Sequence, residues 1–414
     1  MSAHHSSLLE HLKPGMTVYV PGASGESKTL IKALQGDPER ARGVNFCGCL
    51  VPGMNEFDYA GLHAQTRATV FMLPHAMRQS FGEGKVDLVP RSYVGAAASI
   101  ARMHWDVAYF HVAPPAVDGS CSFGIASDFA PIVWERARWR IAIVNARMPA
   151  MARGPRVNLA DADAAVEASD ELIGAPTVPI SHEVSVIASS LARLIPDGAH
   201  VQTGIGGAPA AVWRHLRGHR NLVLRSGMAT DPVQDLAEAG ALRHDGDHCA
   251  GIAYGSREFY DYLARSDLVR FASTPETHGF ASLAPLQGFH AVNSALEVDL
   301  FGQVNVEWRD KRLSGGVGGA PDFARAAQAS PGGRSIIALP STAKSGALSR
   351  IVPRLGTPTI SMARSEIDTV VTEHGVADLR DKSTECRAKA LIAIAAPAYR
   401  ESLCRAWHEV RTSL

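Results

Sequence analysis

Leu12-Lys13-Pro14-Gly15-Met16-Thr17-Val18-Tyr19-Val20 near the start of the chain and Leu194-Ile195-Pro196-Asp197-Gly198-Ala199-His200-Val201-Gln202 near its middle follow one plan. Each joins a Pro/Gly turn to a short apolar run suited to a buried strand. Gly22 and Gly25 follow the first run, then a helical stripe through Leu30, Ile31 and Leu34. Gly204, Gly206 and Gly207 follow the second, then a stripe through Ala211, Val212 and Leu216. Gly15 answers to Gly198 and Val18 to Val201 at one common offset. A turn, strand, glycine loop and helix used twice predicts a duplicated α/β fold: two related α/β domains with a cleft between them.

The rest of the chain continues the alternation. Apolar runs at Val107–Val112, Ile141–Val144, Ser335–Leu339 and Thr369–Thr372 predict buried strands, and Val184, Ile187, Ala188, Leu191 and Leu194 form one helical stripe. Ile173-Gly174-Ala175-Pro176-Thr177-Val178-Pro179 interrupts any regular element and predicts a linker. The expected domains are residues 1–180 and 181–414.

The 414 residues exceed one ordinary domain, and 46% hydrophobic against 20% charged content suits a globular enzyme with sizeable cores. Lys+Arg and Asp+Glu balance at 41 each, which argues against a nucleic-acid partner or an anionic membrane surface. No apolar run approaches the ~18 residues of a membrane span, and no signal-like start is present, so the cytoplasm is the expected compartment. The cysteines, Cys47, Cys49, Cys121, Cys249, Cys386 and Cys404, show no zinc spacing and read as reduced thiols. His244, Asp245, Asp247, His248 and Cys249 superficially suggest metal ligands, but their polar, glycine-containing context reads as a solvated loop. No metal site is expected.

Three glycine loops carry the chemical signal, because a strand–glycine loop–helix junction aims free N–H groups and a helix dipole at one spot. Gly22-Ala23-Ser24-Gly25-Glu26-Ser27-Lys28-Thr29 nearly spells a P-loop, yet Ser27 stands where the glycine before the lysine is required. Gly204-Ile205-Gly206-Gly207-Ala208-Pro209 begins as a dinucleotide fingerprint, but Pro209 takes the place of its third glycine. Ser314-Gly315-Gly316-Val317-Gly318-Gly319-Ala320-Pro321-Asp322-Phe323 gives a ligand close approach to bare backbone, as an oxyanion hole requires.

These loops, with their neighbours, resemble the acetyl-CoA hydrolase/transferase family, close to 4-hydroxybutyrate CoA-transferases. Gln202 to Val212 resembles its CoA loop, Asn293 to Val304 its long central signature and Gly315 to Phe323 its Gly-Gly loop. Ala338 to Ala343, Ser349 to Pro353 and Val371 to Arg380 continue the match, and Ala113-Pro114-Pro115, Ser122-Phe123-Gly124, Val144-Asn145 and Met148-Pro149 align in the first half. The resemblance implies two α/β domains with the active cleft between them, and an enzyme acting on a small carboxylic acid and its CoA ester. Coenzyme A would be a substrate, with no tightly bound cofactor, and the assembly a homodimer. It also implies CoA transfer through a glutamate, which forms an anhydride and then a glutamyl-CoA thioester.

Gly204, Ile205, Gly206, Gly207, Pro209 and Asn293 match the family's CoA and substrate contacts, and Gly318 and Gly319 its oxyanion donors. The nucleophile's segment resembles His-(Ser/Thr)-Glu-Met followed by an Asp. Here it reads Leu224-Arg225-Ser226-Gly227-Met228-Ala229-Thr230-Asp231, so Gly227 stands at the glutamate position. Glycine cannot form the anhydride. Three expectations follow: Glu373 or Glu297 substitutes as nucleophile, water or a bound acceptor attacks directly, or the protein only binds CoA thioesters. Arg225, if it enters the cleft, would grip an acyl carboxylate; its alternative is a solvated surface arginine. Cys121 lacks neighbours that would activate it. His111, His278 and His290 read as hydrogen-bonded structural histidines.

Overall fold

Two parallel sheets of the same strand order make up the molecule, whose computed structural model describes residues 8–176 and 179–412. The first contains β1 (Thr17–Tyr19), β2 (Asn45–Gly48), β3 (Arg67–Val70), β4 (Val86–Leu88), β5 (Trp105–Val112), β6 (Ala137–Asn145) and β7 (Ala164–Ala168). Its spatial order is β4-β3-β2-β1-β5-β6-β7, parallel throughout. Such strands are covered on both faces, which is why β5 reads as a nearly continuous apolar run.

The second half contains β8 (His200–Thr203), β9 (Val223–Leu224), β10 (His248–Ala250), β11 (Val269–Phe271), β12 (Phe289–Ser294), β13 (Arg334–Ala338), β14 (Thr369–Thr372) and β15 (Gly375–Asp378). Its main sheet runs β9-β8-β12-β13-β14-β15, with only β15 antiparallel. An Arg225–Cys249 bridge carries β9 on to β10, and β10 pairs with β11. The parallel strands β11-β10-β9-β8-β12-β13-β14 therefore repeat the order of the first sheet. The duplication read from Gly15/Gly198 and Val18/Val201 is a duplication of topology.

Helices complete the repeat. Helix α1 (Lys28–Gly36) buries Leu30 and Leu34, and α2 (Tyr93–Ile100) follows β4. Helix α3 (His182–Leu194) starts at Ser181, whose hydroxyl accepts from the Val184 amide, and buries Ile187, Ala188 and Leu191. Helix α4 (Gly207–His215) follows the second glycine loop, and α5 (Ala320–Ala329) the third. The expected linker lies between the sheets; its Thr177 and Val178 lie outside the described residues.

The halves share one core. Ala113, Ile125, Met148 and Met151 of the first pack with β8, β12 and α4 of the second. The seam is also hydrogen-bonded: the Ser127 amide donates to the Gly251 carbonyl (2.9 Å), the Ala253 amide to Ile125 (2.8 Å) and the Thr274 amide to Asp128 (2.8 Å). One correction concerns the polar stretch at residue 244. His244 and Asp245 are exposed, but His248 and Cys249 are buried in β10. His248 Nδ1 accepts from the Leu224 amide at 3.0 Å, so it joins two strands rather than lying in a solvated loop.

Candidate active site

In an open parallel sheet, ligands bind beyond the carboxyl ends of the strands, where the strand order reverses. In the second sheet that point lies between β8 and β12, and a cavity of about 490 Å³ opens there. Gly204 to Gly207, after β8, form one wall, and Asn293 to Leu296, at the end of β12, the next. Gly315 to Gly319 form the opposite wall, and Val51, Pro52, Met54, Met72 and Tyr93 of the first half close the cleft.

The glycines are required by contact. A Cβ on Gly204 would lie 2.6 Å from Asn293 Oδ1, and one on Gly206 2.9 Å from Ser294 Cβ. Gly206 also has a φ of 139°, which a side chain rarely tolerates. It caps α4 without any side-chain bond, so the first amides of the helix are open to the cleft. The third loop is held in place, not loose: the Leu73 amide donates to the Gly315 carbonyl (3.2 Å) and the Tyr93 amide to Gly318 (3.0 Å). A Cβ on Gly316 would sit 2.7 Å from Met72.

The cavity therefore brings together Gly204, Ile205, Gly206, Gly207, Asn293, Gly227, Gly318 and Gly319. It does not bring the other expected residues. Pro209 is buried within α4. Arg225 neither enters the cleft nor lies in solvent: its side chain is only 8% exposed and pairs with Asp247 Oδ2 at 2.6 Å. Asp247 also pairs with Arg270, which with Arg225 and Arg153 holds its carboxyl below the usual range against partial burial. Glu373 accepts from the Ser341 amide (2.8 Å) and hydroxyl (2.6 Å). Glu297 accepts from Asn305 Nδ2 at 2.9 Å. Neither carboxylate lines the cavity, and among the described residues that do there is no Asp or Glu. Its charged lining is Arg309 and Arg350. Burial lowers the pKa of Arg350, with Arg309 adding to that and Glu373 and Glu297 opposing it.

Cys121 is buried in the short strand Ser120–Ser122, outside the cavity, and burial raises its thiol pKa. His111 bonds the Gly25 carbonyl through Nδ1 (3.1 Å), and His290 that of Gly288 (2.9 Å), both away from the cavity.

His278 differs. It lies in the cavity wall, against Gly227. An ideal Cβ at 227 would fall 2.6 Å from His278 Nε2, and one at 319 would fall 2.6 Å from His278 Cδ2. The imidazole thus fills the notch between the two glycines. Tyr93 and Phe323 flank it at ring distances of 4.6 and 4.5 Å. Thr277 Oγ1 lies 2.8 Å from Nδ1, and burial pushes the imidazole pKa down to about 3, so the ring is neutral. Sequence reading missed this residue because nothing near position 278 resembles a motif. The only prior sign was Gly227, a bare position where a side chain was expected.

Both halves match family models: residues 2–181 the acetyl-CoA hydrolase/transferase N-terminal domain, and residues 255–407 the corresponding C-terminal domain. The chain is 34% identical over 390 residues to the 4-hydroxybutyrate coenzyme A transferase of Clostridium kluyveri, covering 92% of this chain and 91% of that one. The solved 4-hydroxybutyrate CoA-transferase of Porphyromonas gingivalis is 29% identical, with a TM-score of 0.81 and coverage of 100% and 97%. RipA of Yersinia pestis is 25% identical, with a TM-score of 0.91 and coverage of 98% and 97%. The expectations of a two-domain CoA-transferase fold and of an enzyme of acyl-CoA transfer in the broad sense are met at the level of the family. With both halves matched and a relative this similar along nearly its whole length, the chain belongs to the acetyl-CoA hydrolase/transferase family.

Proposed function

We propose that the chain turns over the CoA thioester of a small carboxylic acid in this cleft by direct attack on the thioester, without a covalent glutamyl-CoA intermediate. The observation that carries the reading is the lining: bare backbone, two arginines, an imidazole in the notch at Gly227, and no carboxylate. Gly204 to Gly207 and the open N-terminus of α4 suit the anionic coenzyme. Gly318 and Gly319 are the proposed oxyanion donors, each worth roughly 2.7–4 kcal/mol to the tetrahedral intermediate.

Two attackers satisfy the balance of atoms. Water adds to the carbonyl carbon, the C–S bond breaks, and free acid and CoA leave. Alternatively a bound carboxylate attacks, giving an anhydride and CoA thiolate; the thiolate then takes the acceptor's acyl group and releases the first acid. The second route is CoA transfer with both substrates present together. Arg309 and Arg350 give an acceptor or acyl carboxylate a cationic wall. Assembly as a homodimer in the cytoplasm belongs to the same proposal and rests on the family resemblance alone.

Initial rates measured against both acyl-CoA and acetate test the reading. Direct attack gives intersecting double-reciprocal lines, or CoA release that needs no acetate. Parallel lines, the pattern of a covalent intermediate, would contradict it.

A further inference from the structure

The notch between Gly227 and Gly319 holds the one neutral base of the cavity wall, and its geometry identifies the attacker. This step rests on the direct-attack reading above. A carboxylate acceptor arrives already ionised and needs no base. Water must lose a proton as it attacks, and a base within one hydrogen bond of it then matters.

His278 is built for that task. Thr277 Oγ1 lies 2.8 Å from Nδ1 and 3.4 Å from the Ser273 carbonyl. The hydrogen-bond network directs the hydroxyl proton to that carbonyl, assigning the ring proton to Nδ1 and leaving the Nε2 lone pair free. Among the described residues Nε2 has no hydrogen-bond partner, and the residue is part of the cavity lining. Tyr93 and Phe323 fix the ring plane from both sides. Tyr93 is itself fixed, because its hydroxyl donates to Asp128 Oδ2 at 2.9 Å and its amide to the Gly318 carbonyl. The same Gly318–Gly319 turn that would hold the oxyanion thus borders the imidazole. The two glycines that flank the ring have no side chains to exclude it.

We propose that His278 is a catalytic residue: its Nε2 takes a proton from a water molecule that attacks the thioester, making the chain an acyl-CoA hydrolase. The water oxygen bonds to the carbonyl carbon as its proton moves to Nε2. The tetrahedral intermediate then collapses, the C–S bond breaks, and the leaving thiolate recovers the proton from Nε2. Acid and CoA are the products, and the imidazole is again neutral.

The test uses the full chain with acetyl-, butyryl- and succinyl-CoA, with and without acetate, following free CoA. Wild type, His278→Ala and His278→Gln are compared, with folding checked by circular dichroism. The expected result is CoA release without acetate, slowed in D₂O, with kcat reduced about 10²–10⁴-fold in both variants and KM little changed. Imidazole added to His278→Ala restores part of the rate. Folded variants with wild-type kcat overturn the assignment. If both variants unfold, the D₂O experiment on wild type decides, and its absence of slowing overturns the proposal. CoA transfer that requires acetate and ignores His278 overturns this inference while leaving direct attack standing. A glutamyl-CoA adduct, or no turnover of any thioester, overturns both.

Discussion

The two halves carry the same strand–loop–helix unit at the same place in the same topology, yet only one loop is open to a ligand. After β1, Ala23 and the neighbouring loop are tied down by Asn55. Its Oδ1 accepts from the Ala23 (2.9 Å) and Val51 (2.7 Å) amides, and its Nδ2 donates to the Ala23 carbonyl (3.0 Å). His111 bonds Gly25, Asn145 Nδ2 donates to His111 (2.9 Å), and Ser27 and Thr29 anchor α1 to Asp170. Ser27 caps that helix with its own hydroxyl. After β8, Gly206 caps α4 with nothing, and Ile205 beside it is 60% exposed. The same fold makes a binding loop or a structural loop according to whether side chains of the chain itself satisfy the loop's amides.

That difference can be broken from either side. The largest loss of stability is expected from Gly22→Ala, because the new Cβ would fall 2.1 Å from the Cys49 carbonyl oxygen, which is backbone and cannot yield cheaply. Denaturant unfolding should show a loss of about 3 kcal/mol, with the acyl-CoA affinity of the folded protein unchanged. Asn55→Ala removes three bonds from fully buried groups and should cost about 2 kcal/mol by the same measurement. Gly206→Ala acts on the other loop. Its strain is relieved by moving the loop, at about 1 kcal/mol of stability, while acyl-CoA affinity measured by calorimetry falls about tenfold, near 1.4 kcal/mol. Equal effects of Gly22→Ala and Gly206→Ala on binding would erase the distinction between the loops.

A subtler contrast is in pH. Glu26, beside the closed loop, has its pKa pushed up to about 7, first by burial, with Asn55 pulling it down. The folded state therefore keeps a proton that the unfolded chain loses near its ordinary value of about 4.3. That contribution to stability is full below the unfolded pKa and drains as pH rises through about 7. Glu26→Gln should abolish this decline, so the Tm of wild type relative to the variant falls between pH 5 and pH 8. Parallel Tm curves would show that Glu26 does not titrate this way.

The duplication was legible in the sequence because a strand and its following turn are local features. Thr17–Tyr19 and His200–Thr203 announce themselves within ten residues. The glycine loops were legible for the same reason. Position 227 was legible only as an anomaly against the family pattern. What filled it was not, since His278 comes from a short helical turn, Thr274–Thr277, brought in by the seam with Asp128. Glu373 and Glu297 looked available because each sits in a family-like block, and only three dimensions show them engaged with Ser341 and Asn305. Arg225 was misjudged in both of its readings because its partner, Asp247, lies on the neighbouring strand's approach.

The central claim is that no carboxylate of this protein takes the acyl group. Intact-protein mass spectrometry after incubation with acyl-CoA, alone and with acetate, tests it most directly. As a positive control, the Gly227→Glu/His278→Ala double variant clears the imidazole and puts a carboxyl in the notch. The account predicts free CoA from the wild type with no added mass, and a CoA-sized adduct only in the double variant. A CoA-sized adduct on the wild-type chain, mapping to Glu373, Glu297 or any other carboxylate, would contradict it.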